Sequence, residues 1–146
     1  MFTSTGESIA LKDNSFDLVI MCEVIEHVEN PDRVLREIRR ILHPDGKLII
    51  SFPNYLNALY LAILVFGEVL NKPNWLDRQV VDRSVFYPFM LQKLKKHGFS
   101  KLDVIGKTYG HLKIPGFRWI EKLENPLNAC KLHFLSFHPV ILLQKC

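Results

Sequence analysis

A short stretch of the sequence concentrates side chains that can move protons. Cys22 and Glu23 follow an apolar run, and Glu26 and His27 come three and four residues after Glu23. A histidine beside a carboxylate can act as a base toward an acidic hydroxyl group or ring carbon, so Glu26 and His27 are candidate catalytic residues. Alternatively, this pair holds the loop by hydrogen bonds, and Cys22 is a small buried filler. The second histidine of an H-x-x-E-H zinc motif is missing, so we expect no metal site.

A second candidate pair, Asn54 and Tyr55, follows another apolar run at residues 47–52. In open α/β sheets, ligands bind beyond the carboxyl ends of the strands. If both apolar runs are strands of one parallel sheet, this pair lies at the same edge as the first cluster. We therefore predict that Asn54 and Tyr55 contact a substrate. The alternative for Asn54 is a turn residue after Pro53.

The elements around these residues form a strand–helix–strand unit. Residues 16–21 are a Val- and Ile-rich run, typical of a parallel strand covered on both faces, and residues 47–52 form a second such run. Between them, Asn30 can cap a helix that has Pro31 at its first position. Residues 43–46 (H-P-D-G) predict the end of that helix and a turn. The apolar face of this helix comprises Val34, Leu35, Ile38, Ile41 and Leu42. This order indicates a βαβ unit with a right-handed crossover.

Later segments add apolar helices and two more strands. Residues 56–71 predict an apolar helix, interpreted as a buried helix, a cap over an apolar substrate or a partner surface. We predict a second helix over residues 84–97 and strands over residues 99–105 and 139–144. The predicted buried side of the second helix comprises Phe86, Phe89, Met90, Leu91 and Leu94. Histidines of the C-terminal part lack metal-ligand spacing, and we interpret them as ordinary residues. They are His111, His133 and His138.

Composition limits the class of protein. The 146 residues are 48% apolar and 23% charged, as in an ordinary globular domain, and the net charge is only +4. The basic residues form no stripe with interleaved aromatics, so we expect no nucleic-acid partner. The three cysteines form no C-x-x-C pair, which indicates a reducing compartment, and we predict a cytoplasmic protein. The longest apolar run, residues 56–70, is shorter than the roughly 20 residues of a transmembrane helix.

The motifs of residues 16–54 resemble those of the class I S-adenosylmethionine-dependent methyltransferases, in the small-molecule groups called type 11 and type 23. The sequence has F-D-L-V at the first predicted strand and E-V-I-E-H at residues 23–27. It then has L-H-P-D-G-K-L at residues 42–48, and a P-N pair ends the second strand. The later pattern P-x-x-L-x-x-L-x-x-x-G-F at residues 88–99 is similar to the helix before strand 6 of that family.

The resemblance implies an α/β, Rossmann-like methyltransferase sheet and S-adenosyl-L-methionine as the cofactor. The family's strand order is 3-2-1-4-5-7-6, and this sequence matches the C-terminal part, strands 4–7, with the last two as an antiparallel hairpin. The resemblance implies that Cys22 and Glu23 bind the cofactor, and that Glu26 and His27 are the family's acid–histidine pair. Thr5 falls where an acid of the family often meets the adenine, so it is a further cofactor-binding candidate. The family's glycine-rich G-x-G-x-G turn is not found in the 146 residues.

We expect a single partial methyltransferase domain over residues 1–146, and we interpret the chain as a truncated form. Its predicted parts are the end of the strand 3 region (1–15), the strand–helix–strand core (16–54), an insertion with the apolar helix and a loop (55–82), and a helix with the C-terminal hairpin (83–146). Because strand 1 would normally pair beside residues 16–21, this run is expected to be an exposed apolar edge strand. Such an edge favours pairing with another chain.

The function implied by the resemblance is transfer of a methyl group from S-adenosylmethionine to a small-molecule acceptor. The methyl group is already activated on the sulfonium, so catalysis needs alignment and exclusion of water more than a protein nucleophile. We expect no transmembrane segment. Two kinds of contact are left as alternatives: one with a membrane surface, and one with a second copy or a partner chain at the edge strand. The alternative function is a non-catalytic interaction module, or a half-domain that a partner chain completes.

Overall fold

Four strands and two helices are found in the described part of the chain, residues 6–54, 85–107, 136 and 138–146 of a computed structural model. In chain order they are β1 (Phe16–Cys22), α1 (Pro31–Ile41), β2 (Leu42–Ser51), α2 (Tyr87–Lys96), β3 (Phe99–Lys107) and β4 (His138–Lys145). The strands form one sheet in the order β1-β2-β4-β3. β1 and β2 are parallel, and β4 is antiparallel to both of its neighbours. The predicted α/β sheet with an antiparallel pair of last strands is confirmed.

The helix α1 begins and packs as its sequence predicts. The Asn30 side chain accepts a hydrogen bond from the backbone N–H of Arg33 at 3.1 Å, and Pro31 occupies the first helical position. This cap satisfies one of the N–H groups that have no partner inside the helix. The five residues of the predicted apolar face are all at most 4% exposed: Val34, Leu35, Ile38, Ile41 and Leu42.

The predicted turn after α1 is a bulge inside β2. Four residues of β2, residues 43–46, stand opposite a single residue of β1, Asp17. Asp45 has a φ of +63°, and a Cβ added to Gly46 would lie 2.8 Å from the carbonyl oxygen of His43. The bulge therefore needs a residue without a side chain at its close approach. The prediction that the strand starts only at residue 47 is wrong, because pairing with β1 begins before the bulge.

The helix α2 is shorter than predicted, and of its predicted buried side only Met90 and Leu94 are buried. It starts at Tyr87 rather than at residue 84, and its buried residues are Tyr87, Met90 and Leu94. Phe89 is 68% exposed, so its predicted place in the core is wrong. The reason is the period of the helix, since Phe89 lies about 200° around the axis from Tyr87. Phe86 and Leu91 are half-buried. The predicted apolar helix over residues 56–71 lies outside the described residues.

One face of the sheet and the two helices share a single hydrophobic core. Alternate residues of neighbouring strands point into it, as the two-residue period of a strand requires. The strand residues buried there are Met21, Leu42, Leu48, Ile50, Phe99, Val104, Ile141 and Leu143, each at most 8% exposed. Burial of this side-chain set against α1 and α2 is the main favourable contribution to the fold.

β1 is the end strand of the sheet formed by the described residues, and only one of its faces is covered. Met21 points into the core, whereas Leu18 and Ile20 on the other face are 45% and 62% exposed. The prediction that this strand is covered on both faces is therefore wrong within the described ranges. Exposed apolar side chains on an end strand are a surface that favours association.

The segment before β1 is tied to α1 by charged side chains. A Glu7 carboxylate oxygen accepts a hydrogen bond from the backbone N–H of Asn30 at 2.6 Å, and Glu37 accepts one from the N–H of Ile9 at 2.9 Å. Arg40 donates to Glu37 and to two backbone carbonyl oxygens of the segment. The guanidinium of Arg40 lowers the pKa of Glu37. These bonds fix the approach of the chain to the first strand.

Replacing Gly98 by alanine is expected to destabilise the fold by about 1–2 kcal/mol, the cost of a left-handed backbone for an L-residue. Gly98 follows α2 with a φ of +75°, and a Cβ there would lie 2.7 Å from Nε of Arg39. Denaturation in urea measures the change. Gly6→Ala is the matched control, because its Cβ would meet Val34 at an ordinary 3.6 Å. Equal unfolding midpoints for the two variants would contradict the prediction.

Candidate functional site

The carboxyl ends of β1 and β2 and the start of β4 meet at one edge of the sheet. Glu23, the first residue after β1, connects all three strands. Its backbone N–H donates to the carbonyl oxygen of Ser51 at 3.1 Å, and its Oε1 accepts from the Ser51 hydroxyl at 2.5 Å. Its Oε2 lies 2.9 Å from Nδ1 of His138. We refer to Glu23, Ser51 and His138 as the Glu23 cluster.

The backbone of Glu23 is strained. Its φ is +51°, in the left-handed region, which costs an L-residue about 1–2 kcal/mol. Such conformations persist where surrounding contacts over-determine them, and they concentrate at functional sites. Here the bonds to Ser51 and His138 hold the side chain in place. The Glu23 side chain is still 40% exposed, so a ligand can reach this carboxylate.

Two members of the Glu23 cluster, Ser51 and His138, were missed by sequence reasoning. His138 is 115 residues from Glu23 along the chain, so no local sequence pattern connects it to the site. The strand order is the feature that would have placed His138 at this site. An antiparallel strand next to β2 must begin at the edge where β2 ends, so its first residue lies beside the residues that follow β1.

The predicted acid–histidine pair lies on a turn of the loop after β1. Glu26 is buried at 3% exposure, whereas the His27 ring is 37% exposed. Nε2 of His27 lies 3.7 Å from Oε1 of Glu26, and the His27 backbone N–H donates to Val24 at 3.0 Å. A histidine next to a carboxylate is a suitable group for proton transfer. This arrangement can therefore take a proton from a ligand at the exposed face of the ring.

Cys22 is exposed at the end of β1. It stands directly opposite Ser51 in the register of β1 and β2. The interpretation of Cys22 as a buried filler is wrong, because the chain turns away from the sheet at the next residue. Its thiol is therefore accessible at the edge that carries the Glu23 cluster.

Asn54 is a buried connector at the same edge, with 1% exposure. Its Nδ2 donates to the carbonyl oxygen of Ser136 at 3.1 Å, and its Oδ1 accepts from the Tyr87 backbone N–H at 3.1 Å. It thereby caps α2, whose own N-cap residue, Phe86, makes no side-chain cap. A substrate contact by Asn54 stays a prediction. Two further predicted site residues, Thr5 and Tyr55, lie outside the described residues.

Asp32, in the first turn of α1, joins that helix to α2. Its two carboxylate oxygens lie 2.7 Å from Nζ of Lys93 and 2.7 Å from Nε2 of His97. The hydrogen bonds from Lys93 and then from His97 lower the pKa of Asp32 to about 2. The carboxylate therefore stays ionised at neutral pH and holds the start of α1 against the C-terminal end of α2.

Two kinds of feature are absent from the ranges that the structure describes. Among residues 6–54, 85–107, 136 and 138–146, no group of three or more His, Cys, Asp or Glu side chains could hold a metal ion. No helix within those ranges is long and apolar enough to cross a membrane.

Comparisons of sequence connect the chain to methyltransferases. Residues 1–50 match the family model described as a methyltransferase domain. The chain is similar to the ubiquinone biosynthesis O-methyltransferase of Ruegeria pomeroyi, with 35% identity over 108 residues, which are 73% of this chain and 43% of that protein. The chain spans about half the length, or less, of the curated relatives it matches.

Comparisons of structure support the same fold. An S-adenosylmethionine-dependent methyltransferase of Thermotoga maritima, described as a possible histamine N-methyltransferase, matches with a TM-score of 0.67 and 22% identity, over 98% of this chain and 62% of that one. A putative methyltransferase of Haloferax volcanii, in complex with the Trm112 methyltransferase activator, matches with a TM-score of 0.61 and 14% identity, over 97% of this chain and 59% of that one. The predicted Rossmann-like methyltransferase fold is confirmed.

Acid is expected to remove the contribution of Asp32 to stability. Its pKa is lower in the folded chain than the ordinary 3.8, so the contribution is fully present above that value and is lost as pH falls through about 2. Because Asp32 is 43% exposed, we expect no more than about 1 kcal/mol. Urea denaturation of Asp32→Asn and the parent at neutral pH and near pH 2 tests this. Asp17→Asn, an exposed aspartate of β1, is the control. A difference between Asp32→Asn and parent that is unchanged by acid would contradict it.

Proposed function

We propose that this chain belongs to the class I S-adenosylmethionine-dependent methyltransferases, as the match of residues 1–50 supports. We further propose that the sheet edge carrying the Glu23 cluster takes part in methyl transfer from S-adenosylmethionine to a small-molecule acceptor. The observation that carries the proposal is the position of Glu23. It is a strained, partly exposed carboxylate where β1, β2 and β4 meet. In open α/β sheets this is the edge at which ligands bind.

The residues at this edge fit one side of the cofactor. S-adenosylmethionine carries a sulfonium and an ammonium group, and both positive charges suit a carboxylate such as Glu23 that remains 40% exposed. Cys22 is exposed next to it and would line the same side. When bound, the cofactor supplies a methyl group that is already activated by the positively charged sulfur. Ser51 and His138 would keep the Glu23 carboxylate oriented toward the ligand.

A proton leaves the acceptor when a hydroxyl group is methylated, and His27 is the proposed base. Its ring is exposed, and the buried carboxylate of Glu26 lies 3.7 Å away. That carboxylate would stabilise the ring after it takes the proton. A hydroxyl acceptor is supported by the Ruegeria pomeroyi relative, which is named for O-methylation in ubiquinone biosynthesis. Asn54, which is buried, would act by positioning the start of α2.

The proposal also covers the setting of the enzyme. A reducing compartment, the cytoplasm, is supported by three cysteines without a C-x-x-C pair. The described strands correspond to strands 4–7 of the family, so we propose that residues 1–146 form part of a single methyltransferase domain.

Binding of S-adenosylhomocysteine, the demethylated product, is expected to protect Cys22 from alkylation. At about ten times its dissociation constant, the product should slow iodoacetamide labelling of Cys22 roughly tenfold. Mass spectrometry of peptides measures each thiol separately. Cys146 is the internal control, because it is exposed after β4, at the opposite end of that strand from the Glu23 cluster.

The variant Glu23→Gln is expected to need more product for the same protection, whereas Asp17→Asn is expected to match the parent. A circular dichroism spectrum shows that each variant is folded. Equal labelling of Cys22 with and without the product, up to millimolar concentration in a folded chain, would contradict the proposal that this edge binds the cofactor.

A second candidate function is an interaction module, and the exposed face of β1 favours it. Leu18 and Ile20 are 45% and 62% exposed on the end strand of the described sheet. A partner, or a second copy of the chain, that pairs with β1 would cover them. The Haloferax volcanii neighbour is a methyltransferase in complex with an activator, which supports a partner.

If β1 pairs with a second copy, light scattering at tens of micromolar should give a mass above that of one chain. The substitution Ile20→Lys should lower this mass, because a charge on an end strand opposes pairing. Leu102→Lys is the matched control, because Leu102 is 47% exposed on β3 at the other end of the sheet. A parent chain that is monomeric under these conditions, with or without the substitution, would exclude self-association through β1.

A further inference from the structure

A cavity of about 530 Å³ lies between the loop after β1, the start of α1 and the start of α2. Its apolar wall comprises Ile25, Val85, Phe86, Phe89 and Met90. Glu29, Asp32 and Lys93 supply the charged groups of the lining. A cavity of this size, with apolar walls and a few polar groups, is typical of a site for a small organic molecule.

Two aromatic rings of the wall are arranged edge to face. The centroids of Phe86 and Phe89 are 6.1 Å apart, and their planes are perpendicular. Phe89 is 68% exposed and contributes little to the core, although it lines the cavity. The negative face of an exposed aromatic ring attracts a cation, and its body stacks with another ring.

The charges of the lining are not balanced. Asp32 and Lys93 neutralise each other at 2.7 Å, and Asp32 also contacts His97. Glu29 is exposed, and its carboxylate forms no hydrogen bond or ion pair with the other residues that the structure describes. The cavity therefore keeps one negative charge beside an aromatic wall. That combination favours a positively charged ligand and disfavours a carboxylate or phosphate.

We propose that this cavity binds a compact organic cation, an amine carried on an aromatic or short apolar body. The apolar body packs against Phe86, Phe89 and Met90, and the ammonium group pairs with Glu29. None of the three residues of the Glu23 cluster lines the cavity, so the inference does not depend on methyl transfer.

Binding of three matched probes tests the charge preference: 2-phenylethylamine, 2-phenylethanol and 3-phenylpropionate. Titration calorimetry, with ligand-detected NMR for weak binding, is done on the whole chain without S-adenosylmethionine. The amine is expected to bind roughly three- to tenfold more tightly than the alcohol, the range for a partly exposed ion pair with a cation–π contact. The propionate is expected to bind most weakly.

Two substitutions of exposed residues separate the charge from the aromatic wall. Glu29→Gln should reduce the preference for the amine over the alcohol, because only the cation–π contribution remains, while the alcohol still binds. Phe89→Ala should weaken both. Asp17→Asn and Leu102→Ala, exposed residues that do not line the cavity, should leave both affinities unchanged.

Three outcomes would overturn the inference. These are equal binding of the three probes, an amine preference that Glu29→Gln leaves unchanged, and no binding to the folded chain at about 10 mM probe. None of them bears on Cys22 protection by S-adenosylhomocysteine, so the cation site and the methyltransferase edge can fail independently.

Discussion

The site depends on the position of β2 between a parallel and an antiparallel neighbour. β1 runs alongside β2, so both strands end at one edge of the sheet, while β4 runs the other way and begins there. Backbone pairing alone thus places the residue after β1, the last residue of β2 and the first residue of β4 together. Glu23, Ser51 and His138 occupy those three positions. No loop of special shape is needed to assemble them.

Apolar burial and charged contacts have different roles in this fold. The core under α1 and α2 comes from alternate strand residues such as Leu48 and Ile141, both fully buried. Ion pairs of partly exposed groups contribute little each, so Asp32 and Arg40 do not hold the fold together by strength. Instead, each of these side chains fixes how two segments of the chain are placed relative to each other. Asp32 sets the spacing between the start of α1 and the end of α2, and Arg40 directs the chain into β1.

The parts that could be predicted are those in which local chemistry decides the structure. The Asn30 cap, the apolar stripe of α1 and the strand order follow from residue type, period and family resemblance. Phe89 could not be placed, because several faces of α2 are apolar and packing chooses among them. His138 could not be assigned to the site either. Its contact with Glu23 joins residues 115 positions apart, and only the paired sheet brings them together.

Asn54 has a consequence for how the molecule forms. Its amide bonds Tyr87 and Ser136, which are 33 and 82 residues away along the chain. Contacts of such separation close large loops and form slowly compared with a helix or a hairpin. The sheet edge that carries the Glu23 cluster is then among the last parts to assemble, after the strand–helix–strand unit of residues 16–51. A nascent chain would therefore expose Leu18 and Ile20 of β1 well before this edge is complete.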